Sequence, residues 1–73
     1  MKVTIESTTK IVSADGIQCR VWEGKTERGV EITCLIPRIA VNNGQDIEQF
    51  EVELQETRSP SDEIEAWPMR MIL

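Results

Sequence analysis

The chain contains no histidine and no tyrosine, and Trp22, Phe50 and Trp67 are its only large aromatics. Without histidine it lacks both the commonest general base and the commonest metal-ligating side chain. Cysteine is scarce too. Cys19 and Cys34 are too few for a disulfide framework, and with no further Cys or His they cannot close a four-ligand zinc site. Every apolar run falls far short of the roughly 20 residues that cross a bilayer. Met1-Lys2-Val3-Thr4-Ile5 opens a polar, alternating stretch where a signal peptide would place a charged segment and an apolar run. The expectation is a soluble, cytoplasmic protein with no membrane contact. Positive charge is also in deficit: 8 Lys and Arg face 13 Asp and Glu, for a net charge of −5. Direct binding of duplex nucleic acid, which rests on neutralising phosphates, is not expected.

What remains is 73 residues, 40% hydrophobic and 29% charged, a composition that folds as one domain over residues 1–73. A core of this size seldom supplies more than about 3–5 kcal/mol, and small domains add disulfides, a metal or self-association. Only self-association fits this chain.

Residues 3–12 are rich in β-branched types, with Val3, Ile5 and Ile11 on one pleat face. A three-residue loop Ala14-Asp15-Gly16 leads into a second strand. In that register Ile11 lies opposite Cys19 and Thr9 opposite Val21, so Ile17, Cys19 and Val21 join the face of Ile5 and Ile11. The next turn, near Glu27-Arg28-Gly29, has two registers. A two-residue loop sets Val21 opposite Ile36, whereas a three-residue loop sets Trp22 opposite Cys34. The third strand, 30–41, carries Val30, Ile32, Cys34 and Ile36 on one face and Leu35 and Ile39 on the other. Pro37 makes it an edge, bulged or broken strand. In neither register do Cys19 and Cys34 come within bridging distance, so both are expected as free thiols.

Asn42-Asn43-Gly44 marks a loop, and Asp46 followed by Gln49 has the form of a capping box for a helix over 46–57. Ile47, Phe50 and Leu54 form its sheet-facing stripe, with Glu48, Glu53, Glu56 and Val52 outside. Ser59 or Ser61 caps a short turn through Ala66, and 69–73 reads as a terminal strand. The expected fold class is α+β: a small antiparallel sheet, β-β-β-α-β, with one helix packed on one face.

Residues 1–41 carry six basic and five acidic side chains, whereas 42–73 carry two and eight, so the acid concentrates in the helical half. Such a face solvates a small protein, or docks on a basic partner. Glu48, Glu51, Asp62, Glu63 and Glu65 lack the desolvated cleft that separates two carboxyl pKa values for acid–base work, and the spacing of a calcium loop is absent. Ser7-Thr8-Thr9-Lys10 lacks the glycines of a phosphate loop. Cys19 and Cys34 suit core packing better than nucleophilic attack. An enzyme is not expected, and no cofactor is implied.

The stretches Ile5–Val12, Arg20–Gly24, Ile36–Val41 and Gln49–Glu56, with the closing Pro68–Leu73, resemble a group of short bacteriophage and prophage proteins of unassigned function. The resemblance implies a host-cytoplasmic location and transfers no site residue. Proteins of this kind often bind and block a host component. The leading expectation is therefore a self-associating inhibitor, for instance one that counters host defence. It would contact a host protein through Glu48, Val52, Glu53 and Glu56, with Trp22, Leu35, Ile39 and Trp67 as oligomer contacts. The alternatives are a structural virion or assembly protein, or an oligomeric sponge for a small nucleotide whose phosphates meet Lys10, Arg20, Lys25, Arg28 and Arg38.

Overall fold

A computed structural model describes residues 1–65 and the backbone of 70–71. Three antiparallel strands, β1 (Val3–Ala14), β2 (Ile17–Thr26) and β3 (Glu31–Ile36), are followed by the helices α1 (Ile47–Leu54) and α2 (Asp62–Glu65) and a two-residue strand β4 (Arg70–Met71). The sheet order is β3-β2-β1-β4, with β4 parallel to β1 at Ser13 and Ala14. The class is α+β. Trp67 and the expected ends of the last strand, Met69, Ile72 and Leu73, lie outside the described residues.

The first hairpin differs from expectation by one residue. Ala14 pairs with Ile17 across a two-residue loop in which Asp15 and Gly16 both have positive φ, 50° and 80°. Asp tolerates the left-handed region, and an Asp-Gly pair matches the twist of the flanking strands. Val12 therefore faces Cys19, and Ile11 faces Arg20. Ile5 and Ile11 still share a face, but it is the one opposite Cys19 and Val21. The second hairpin takes the three-residue alternative: only Gly29 of its loop has positive φ, and Trp22 pairs with Cys34.

Between Ser7 and Ile11 the register slips, so that Thr8, Thr9 and Lys10 bulge opposite Val21 alone. Thr8 is fully buried there. Its hydroxyl donates to Val21 O at 2.7 Å and accepts from Lys10 N–H at 3.2 Å.

Val12, Ala14, Cys19 and Val21 are buried on one face of the sheet, and Leu35 packs against them. Leu35 thus belongs to the core and stands on the face opposite Trp22, so the two cannot serve one oligomer surface. The expected cover is replaced as well. No residue of α1 is buried, and Ile47 and Leu54 of its stripe are 59% and 45% exposed. The core is closed instead by Ile64 of α2, 4% exposed. After α1 the chain runs back along the free edge of β1 as a strap. Ser7 Oγ donates to Glu56 O, Arg58 pairs in parallel with Thr8, and Lys10 Nζ donates to Glu65 O. The Ser61 hydroxyl accepts from Ile64 N–H at the start of α2. Cys19 and Cys34 are free and lie on opposite faces.

Candidate functional site

Two cavities flank the sheet. The first, about 660 Å³, lies on the core face between β1–β3 and the strap, among Glu6, Glu23, Lys25, Glu31, Arg58 and Glu63. Glu6 and Glu23 are cross-strand partners, an unfavourable placement for two carboxylates. Arg58 offsets it, with Nη1 2.9 Å from Glu23 Oε2 and Nε 3.8 Å from Glu6. The Glu23 side chain, 12% exposed, also accepts from Ser61 N–H at 3.0 Å and Ser61 Oγ at 2.6 Å. Burial alone would raise its pKa. The Ser61 hydroxyl and amide and the Arg58 guanidinium together outweigh that and hold it below the ordinary 4.5. This cavity is thus a structural latch for the strap.

A depressed carboxyl pKa contributes stability above the unfolded value and loses it as pH falls through the folded one. Glu23→Gln is expected to cost roughly 2 kcal/mol at pH 7, as hydrogen bonds to a charged group do. In urea unfolding at successive pH values, the gap from wild type should close below pH 4.5. A gap constant from pH 7 to 3 would refute the latch.

The second cavity, about 560 Å³, lies on the opposite face, where α1 and the segment leading to it stand over β2. Arg20 and Trp22, alternate residues of β2, line it from the sheet. Pro37, Ile39, Phe50, Leu54, Gln55 and Thr57 line it from the covering segment, and Thr9 of the bulge completes it. The break of β3 at Pro37, which has no N–H for a ladder, starts that covering segment. The Asp46 side chain then accepts from Gln49 N–H at 2.9 Å and fixes the start of α1.

Among the described residues, Arg20 is the one charged side chain lining this groove. Its Nη1 donates to Thr8 O at 2.7 Å, and no carboxylate among the described residues forms an ion pair with it. A guanidinium offers five N–H donors in a planar fork, so most of its capacity remains for an anion. Trp22 and Phe50 add aromatic surface. A half-open groove of this volume with one fixed cation and aromatic walls suits a small, flat, anionic molecule.

Of the five basic residues expected to meet phosphate, only Arg20 enters the groove. Lys10 is held to α2, Lys25 lines the acidic cavity, and Arg28 and Arg38 are exposed on the second hairpin loop and just after β3. Trp22 and Ile39, expected as oligomer contacts, are groove residues here. Glu48, Val52 and Glu53 are exposed on α1, and Glu56 lies beyond its end. Thr9, Phe50 and Leu54 were not legible as site residues, because the bulge and the placement of α1 bring them in. Among the described residues, no group of three or more His, Cys, Asp or Glu side chains could hold a metal, and no helix is long and apolar enough to cross a membrane. No protein-family model, curated protein or solved structure matches this chain.

Proposed function

We propose that this is a phage-derived, self-associating binding protein that sequesters a small nucleotide-like anion and so withholds a host signal. The base would rest on Trp22 and Phe50, and a phosphate would meet Arg20. One observation carries the reading: a single groove joins an arginine, without a carboxylate partner among the described residues, to two aromatic side chains. Charge decides between the two cavities, because the other is lined by Glu6, Glu23, Glu31 and Glu63. The reading is one of binding rather than turnover: the described residues of the lining offer a cation, hydroxyls and aromatic surface to hold a ligand. The self-association in this reading is supported by Ile39 and Leu54 at the groove wall, each 45% exposed, because a second subunit over them would enclose a bound ligand.

Thermal melts against a panel of mono-, di- and cyclic nucleotides test the proposal. One ligand at 100 times its Kd should add about 2.7 kcal/mol. For a domain this small, that raises Tm by about 10 °C or more. Arg20→Ala and Trp22→Ala should each abolish the shift, and a panel without any shift would remove the reading.

A second reading rests on α1, every described residue of which except Phe50 is exposed. Here Glu48, Val52 and Glu53, with Glu56, dock on a basic host protein. Retention of a specific host protein by wild type, and its loss when the three glutamates become Gln, would favour this reading over the groove.

A further inference from the structure

The bulge in β1 has no role in the core beyond Thr8, yet it spends three residues where the partner strand spends one. In a regular ladder the Thr8 carbonyl would point along the sheet toward a β2 amide. Here it accepts from the Arg20 guanidinium at 2.7 Å, while the Thr8 hydroxyl is tied to Val21 O at 2.7 Å. Lys10 N–H closes the bulge on the same hydroxyl. Beyond it, Thr9 N–H donates to Arg58 O and Arg58 N–H to Ser7 O, so the strap braces the outer side.

We propose that the bulge is a clamp for Arg20 and that Thr8, fully buried and outside the groove lining, is a positioning residue for the groove cation. The inference deepens the nucleotide reading and rests on it for its purpose, though not for its mechanics. A long arginine side chain on an open sheet face samples many rotamers, and ordering it on ligand arrival weakens binding. A carbonyl fixed by a buried hydroxyl removes that cost beforehand. β-Bulges commonly re-aim groups beside binding sites in this way. Serine at position 8 keeps the hydroxyl and valine keeps the shape, so the two substitutions separate the hydrogen bond from packing.

The experiment compares wild type, Thr8→Ser and Thr8→Val, each below its melting temperature and each checked for a native amide spectrum. Nitrogen-15 NMR of the arginine side chains reads the clamp without any ligand. Slowly rotating Nη hydrogens for Arg20 are expected in wild type and Thr8→Ser, and averaged ones in Thr8→Val. Titration with ADP reads the purpose: Thr8→Val should bind about tenfold more weakly, and Thr8→Ser within about twofold of wild type. An Arg20 guanidinium equally restrained in Thr8→Val overturns the positioning role. A restrained guanidinium in a wild type that takes up neither ADP nor any nucleotide of the panel overturns the nucleotide reading while the clamp stands.

Discussion

Replacing Gly24 by alanine is expected to destabilise the protein by about 3 kcal/mol, the upper part of the range for forced overpacking. The position pairs with Ile5 on one side and Ile32 on the other, on the central of three strands near the end of the sheet closed by Val3 and Thr26. A Cβ there would collide with the Thr4 carbonyl oxygen and come within 2.7 Å of Ile5 Cα. Both are backbone atoms, which cannot swing aside as a side chain does. Either β1 shifts bodily, breaking its pairs with Thr26 and Lys25, or the hairpin opens at that end. Urea unfolding checks the value. A loss under about 1 kcal/mol, the ordinary cost of a surface change, would mean that β1 does not cross Gly24 so closely. Gly16 and Gly29, with open space around them, are constrained only by their positive φ and should tolerate Asn with far smaller losses.

Ile64→Ala is expected to cost about 2–5 kcal/mol, the usual range for truncating a buried Ile. Such a loss approaches the whole stability of a domain with so small a core. Among the described residues, Ile64 is the one core side chain that comes from outside the sheet, and it sits on Val12, Val21 and Leu35. Without it those side chains face water, so the variant should unfold at room temperature or bind a hydrophobic dye strongly. Ile64→Val, which keeps most of the contact, should lose only about 0.5–1.5 kcal/mol. A stable, dye-silent Ile64→Ala would show that the strap is not what closes the core.

Local signals are legible where one residue type decides the outcome. Asp46 caps α1, Pro37 ends β3 and Gly29 closes the second hairpin. The expected three-residue loop Ala14-Asp15-Gly16 puts only Gly16 in the left-handed region. Asp15 takes it as well, and a change of one residue carried Ile11 to the face opposite Cys19. The bulge at 8–10 left no trace in apolar alternation because it adds two residues, and a shift of two restores the same face. The α1 stripe was legible as a stripe, but periodicity does not say what covers it. Ile64, in an acidic four-residue helix, carried no pattern at all. The groove is half legible: Arg20 stands out as a phosphate contact, while Trp22 and Ile39 read as oligomer contacts and Phe50 and Leu54 as core.

The strap gives the molecule a fixed order of assembly. Its contacts reach back 49 residues from Glu56 to Ser7 and 55 from Glu65 to Lys10, whereas the two hairpins close over a few residues. Local closures are fast, and distant ones wait on the entropy of the long loop between them. During synthesis the three strands therefore emerge and pair while Val12, Val21 and Leu35 are still uncovered, and Ile64 arrives only after another 28 residues or so have left the ribosome. For that interval the nascent chain presents a sticky half-core, and a stop codon or a cut anywhere between positions 57 and 63 would leave a sheet with nothing to close it, a fragment for chaperones and proteases to clear.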